Sequence, residues 1–171
     1  MKNLVFAFAL LCSSSLVAQF SYHVDENGVS GTGIQSPTNT ASGGNSFAVG
    51  GSTQASGDLS TAIGAGTNAS GDYSTAMGLN ATASGTVSTA MGWNTSASGE
   101  SSNAMGYFTT ASGDYSTSLG QSTTASGYSS TAMGASTVAS GYYSTASGGA
   151  TTAEDYLSFV IGVHNKTDET P

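Results

Sequence analysis

The residues able to do covalent or metal chemistry are few and widely spaced. The 171-residue chain has two histidines (His23 and His164), one cysteine (Cys12), ten acidic residues, two lysines and no arginine. A catalytic triad needs a nucleophile and a carboxylate converging on one imidazole, and a metal centre needs several nitrogen, sulfur or carboxylate ligands close together. Neither histidine has a matching set at such a spacing, so no catalytic residue, metal or cofactor is expected. Asp58, Asp72, Glu100 and Asp114 recur at multiples of fourteen residues. A calcium ladder is built on a glycine–aspartate nonapeptide, which is absent, so these acids read as spaced solubilising charges. Nucleic acid is excluded as a partner, because two lysines in a chain of formal net charge −8 cannot neutralise phosphates.

Non-covalent recognition remains. Leu79, Trp93 and Tyr107 stand one fourteen-residue period apart, with Phe108 alongside. Large aromatic side chains anchor interfaces, so these four form a candidate ligand patch for an extracellular protein or glycan. Stacking between neighbouring segments is the competing explanation for the same rings. Tyr128, Tyr142 and Tyr156, with Tyr73, Tyr115 and Tyr143 one position further on, make a second regular set. Thr53, Thr67, Thr95, Thr109, Thr123, Thr137 and Thr151 form a file of hydroxyls and methyls.

The elements holding these residues are set by a repeat. Ala41 and every fourteenth residue up to Ala153 begin a unit A-S-G-x-Y-S-T-A-M-G-x-x-T-x, in nine copies without a slip. Leu, Ile, Val and Phe are scarce and only 7% of residues are charged, a composition that alone suggests disorder. A constant register overrides that prior, since it requires identical units stacked in one direction. Fourteen residues are too few for a helical hairpin, and glycine about every seven residues breaks helices. The unit fits two short strands and two turns, giving an all-β parallel β-solenoid of nine coils. The glycines at unit positions 3 and 10 are expected at the two corners, where positive φ has little steric cost.

Side-chain alternation separates inside from outside. Positions 6 and 8 are almost always Ser and Ala, which suits the narrow interior of a flat coil. Position 9 then points outward, and it carries Val49, Ile63, Met77, Met91, Met105, Leu119, Met133 and Ile161, broken by Ser147. Soluble monomers rarely leave so long an apolar stripe in water. Either the ladder packs inside a coil fatter than its length suggests, or, as expected here, it is sheltered by other copies of the chain in a symmetric rod. Methionine suits such a seam because its thioether fills irregular gaps.

Ser-Thr-Ala-Met-Gly at Ser74–Gly78, Ser88–Gly92 and Ser130–Gly134, with Ser60–Gly64 and Ser158–Gly162 as variants, resembles the head repeat of trimeric autotransporter adhesins, the YadA-like heads. The resemblance covers residues 41–166. It implies a left-handed parallel β-roll, a homotrimer with the Ser-x-Ala-x-Gly strand toward the threefold axis, and adhesion to host matrix, cells or surfaces. Family members usually continue into a neck, a coiled-coil stalk and a membrane β-barrel. Here the sequence ends nine residues after Gly162, without heptads or alternating membrane strands, so it is expected to be a free head or a fragment.

The remaining segments complete the expected organisation. Residues 1–18 have a lysine, the apolar run Leu4–Leu11 and a small residue at Ala18, the marks of a secretory signal peptide. A lipidation signal at Cys12 is disfavoured by the bulk of Leu11. Residues 19–40 read as an irregular lead-in and 167–171 as a polar tail. No second apolar segment follows, so the mature chain is not expected to span a membrane and is placed as secreted or at the cell surface. The expected function is a non-enzymatic adhesin-type head. The alternative is an ice-binding β-solenoid that uses the position-13 threonine file.

Overall fold

A computed structural model describes residues 38–166 and, ahead of them, the backbone of two short strands, His23–Val24 and Ser30–Gly31. The signal-peptide and tail expectations lie outside the described residues. Within the lead-in, those two strands pair antiparallel, with His23 opposite Gly31, so at least that part is regular.

From Thr40 onward every coil follows one plan. A long strand of five residues, first Phe47–Gly51 and last Phe159–Val163, alternates with a short strand of two, first Thr40–Ala41 and last Thr152–Ala153. The long strands stack in chain order into a nine-stranded sheet, and the short strands into another. Both are parallel and in register, so Met91 pairs with Met77 on one side and Met105 on the other. The expected nine-coil solenoid is present, with its two strands of unequal length.

The corners differ from expectation. Residues with left-handed φ between 51° and 64° recur every seven residues from Asn45 to His164, at unit positions 5 and 12. Nearly all are non-glycine, among them Tyr73, Val87 and Phe108. The amides there are held by the preceding coil: Tyr73 N–H donates to the Asp58 carbonyl at 2.7 Å and Phe108 N–H to the Trp93 carbonyl at 2.9 Å.

The glycines do a different job. At position 3, a Cβ on Gly99 would be driven into the Gly113 carbonyl of the next coil, so glycine is there for close backbone approach and not for a positive φ. At position 10, Gly106 has φ +127° inside the long strand, and a Cβ there would collide with the Gly120 carbonyl. Both constraints come from stacking at about 4.8 Å. They also explain Asp155, the one non-glycine at position 3. Among the described residues no full coil stacks beyond it, and only the bridge from Thr152 to Lys166 continues the roll.

Each corner residue shifts the phase of side-chain alternation. Positions 13, 1 and 3 point inward, then positions 6 and 8, so Thr95, Ala97 and Gly99 share the interior with Ser102 and Ala104. The coil is thus two half-coils, each contributing a hydroxyl residue and an alanine. The interior is a file of small side chains, and Val160 in the last coil is the largest apolar one among them. Where Ser118 replaces the usual Ala at position 8, its hydroxyl lies 2.7 Å from that of Thr123, which shows that positions 8 and 13 face each other across the coil.

Candidate functional site

The interior has no room for a ligand, so recognition falls to the outer surfaces. The coil has two outer faces, and their chemistry is unequal. The short-sheet face presents position 14, with Thr82, Ser96, Thr110 and Thr124 among its residues, and position 2, serine in eight coils. The long-sheet face presents positions 7, 9 and 11. Position 9 carries Val49, Ile63, Met77, Met91, Met105, Leu119, Met133 and Ile161 as one stacked column pointing out of the roll. Within a single chain its members are partly open to water, from Met133 at 37% to Ile161 at 60% among the most exposed. The inward neighbour of Met91 in the strand, Ala90, is fully buried.

Leu79, Trp93 and Tyr107 lie on the same long-sheet face, two residues further along the strand, in adjacent coils. Phe108 sits at the corner just beyond them with φ 55°. Trp93 and Tyr107 meet edge to face at 5.1 Å between centroids, and Tyr107 meets Phe108 at 4.6 Å. The structure therefore brings three of the four candidate patch residues into one ring cluster, with Leu79 in register beside Trp93. The patch and the methionine ladder share a single face.

The second aromatic set occupies the opposite edge, in the turn before the long strand. Tyr115, Tyr128, Tyr142, Tyr143 and Tyr156 form a chain of ring contacts with centroids 5.4 to 6.0 Å apart. Such contacts stabilise neighbouring coils by roughly 0.5–1.5 kcal/mol each. Asp58, Asp72, Glu100 and Asp114 all lie in this turn, at position 4, and three of them accept a backbone amide of the preceding coil. The amide of Asp58 donates to Asp72 Oδ1 at 2.9 Å, and that of Glu100 to Asp114 Oδ1 at 2.9 Å. The spaced acids thus tie each coil to the next as well as carrying charge. Glu100 beside Tyr115 raises the phenol pKa above its ordinary value, with Tyr128 contributing next.

The threonine file is not on the surface. Thr53, Thr67, Thr95, Thr109, Thr123, Thr137 and Thr151 are all buried at 1% exposure or less. The left-handed residue at position 12 turns the chain so that position 13 faces inward. The ice-binding alternative therefore lacks the array it needs. Apart from Thr123, their hydroxyls have no hydrogen-bond partner among the described residues. Among the described residues no group of three or more His, Cys, Asp or Glu side chains is gathered for a metal, and no helix is long and apolar enough to cross a membrane.

Compared with known protein families, residues 41–67, 69–95, 97–123 and 125–154 each match the YadA head domain repeat, described as two copies per match. No match was found among curated proteins. Two fourteen-residue coils per match agree with the observed stacking, in which paired coils begin at Ala41, Ala69, Ala97 and Ala125. A parallel roll of such coils, matched to this repeat over most of its length, belongs to the YadA head domain family.

Proposed function

We propose that the chain is an exported, non-enzymatic adhesive head whose left-handed roll assembles as a homotrimer and binds an extracellular protein or glycan. It acts as a secreted or cell-surface protein after removal of residues 1–18. The position-9 column faces the threefold axis, and the hydroxyl-bearing short-sheet face forms the outer wall of the rod. The observation that carries this reading is the inequality of the two faces: one apolar column runs unbroken through seven coils on a single side, while the interior is already filled by small residues. Membership of the YadA head domain family supports the adhesive role.

A binding screen tests the function. The purified exported protein is applied to immobilised matrix proteins and a glycan array, alongside a Met77→Asp, Met91→Asp, Met105→Asp variant. Saturable binding by the parent, weakened by loss of multivalency in the variant, is expected. Absence of binding across both panels would contradict the adhesive role.

A further inference from the structure

Rotation about an axis parallel to the coil stack brings the turn edge of one copy, positions 4 and 5, against the corner edge of the next, positions 11 and 12, at the same coil level. Through the middle of the roll the two edges of this chain tend to be opposite in size. In the fourth coil the corner edge is bulky, with Trp93, and the turn edge slight, with Thr86 and Val87; in the fifth the corner edge carries Tyr107 and Phe108 against Glu100 and Ser101. From the sixth to the eighth coil the order reverses. The turn edge carries Tyr115, Tyr128, Tyr142 and Tyr143, whereas the corner edge offers Gln121 and Ser122 in the sixth coil and only Ala135, Ser136, Gly149 and Ala150 in the next two. The third and ninth coils, with a large residue on both edges, lack this contrast.

We infer that the tyrosine comb of each copy seats in the small-residue trough of its neighbour, and that its Trp93–Tyr107–Phe108 cluster seats over the neighbour's turn edge at Thr86, Val87, Glu100 and Ser101, fixing a parallel, in-register, heterologous contact between copies. This inference rests on the cyclic assembly proposed above and names the surfaces that join it.

Charge and area support the same pairing. The turn edge holds four of the six acids between Thr38 and Lys166, Asp58, Asp72, Glu100 and Asp114, and the corner edge holds none. Turn against turn would stack carboxylates on carboxylates, whereas turn against corner sets Asp58, Asp72, Glu100 and Asp114 beside uncharged residues: Ala65, Leu79 and Asn80, Tyr107 and Phe108, and Gln121 and Ser122. The five-residue strand makes a face about 16 Å wide and nine coils make it about 38 Å tall, a footprint of roughly 600 Å². A specific interface covers about 800 Å² per partner, and here one face serves two neighbours, so the flat sheet falls short without its edges. The exposure left in one chain fits this, with Tyr142 at 61% and Trp93 at 47%.

Paired cysteines test the contact in the protein without residues 1–18, which leaves no other thiol because Cys12 is the one cysteine of the sequence. Tyr142→Cys with Gly149→Cys places both thiols in the eighth coil but at opposite edges, out of reach of each other within a chain. A side chain at Gly149 meets only the Val163 methyls at 3.8 Å, an ordinary contact. Trp93→Cys with Thr86→Cys repeats the design in the fourth coil, should the first pair fail to fold. Tyr142→Cys with Gly51→Cys is the off-level control, and Gly51 has open space around it. A short thiol crosslinker is expected to give covalent trimers from both same-level pairs and none from the off-level pair. Linked dimers from Tyr142→Cys alone, or no links in a protein that light scattering shows to be trimeric, would overturn the edge pairing while leaving the trimer standing. The mass of a single chain would overturn the trimer itself.

Discussion

Ser96 and Thr110 on the short-sheet face and Met91 and Met105 on the long-sheet face are held by nearly the same scaffold. Behind each lies an alanine, Ala97 or Ala104, fully buried and preceded by an inward hydroxyl residue. The two half-coils resemble each other inside and differ outside. Interior packing constrains positions 13, 1, 3, 6 and 8 alike, because the roll admits only small side chains. It places no demand on what points away. A column of methionine on one face and serine or threonine on the other therefore reflects a difference in what each face meets, which the proposed assembly assigns to a sister chain on one side and to water or ligand on the other. Sheltering each such apolar side chain is worth roughly 1.5–3 kcal/mol, against almost nothing for a serine.

The comparison breaks most severely if the shared scaffold is removed. Gly106→Ala places a methyl against the Gly120 carbonyl at a φ of +127°. We expect a loss of about 3–5 kcal/mol of stability in thermal or denaturant unfolding, at the upper end for point mutations. The next largest effect separates the faces. Met77→Asp, Met91→Asp and Met105→Asp together should abolish association while leaving the β-rich circular dichroism of the roll. Thr82→Asp, Ser96→Asp and Thr110→Asp, at the same levels on the other face, should leave the mass unchanged. Equal outcomes from the two triples would remove the distinction on which the account depends.

Two smaller changes sharpen it. Thr109→Val replaces a buried hydroxyl that has no hydrogen-bond partner among the described residues with a methyl of the same shape. It should be neutral or stabilise the fold by about 1 kcal/mol, measured as a shift in the unfolding midpoint. A loss comparable to that of Gly106→Ala would mean the hydroxyl file has a partner. The smallest effect concerns pH. The Tyr115 phenol is raised above its usual 10.0, first by Glu100, so the unfolded chain releases this proton before the folded one. Its contribution to stability is complete below pH 10.0 and declines as pH rises through the folded pKa. Glu100→Gln should bring the ultraviolet phenolate transition of Tyr115 back toward its ordinary midpoint; an unmoved transition would assign the shift elsewhere.

The period, the parallel stacking and the outward direction of Met91 are legible in the sequence because each follows from a strict repeat or from alternation within one strand. The surface threonine file that the ice-binding alternative needs is not there, although alternation continued from Met105 and Tyr107 would place Thr109 outside. The left-handed Phe108 between them resets the phase, and nothing in the composition of position 12 announces that: it carries Ser, Gly, Asn, Phe, Ala and His. Gly99 is misread for a related reason. Glycine in a repeat signals either a positive φ or a close approach, and only the position of Gly113 in the next coil decides between them. The ring cluster at Trp93, Tyr107 and Phe108 is visible as a spacing, but its place on the same face as the methionines depends on where the long strand ends. The backbone role of Asp72 and Asp114 is hidden because a carboxylate that accepts an amide has the same spacing as one that only repels its neighbours.

Multi-angle light scattering of the purified protein, in dilute buffer and without crosslinker, tests the central claim most directly. The account predicts the mass of three chains, falling to one when the methionine column carries aspartate. A stable, folded species with the mass of one chain before any substitution would contradict it.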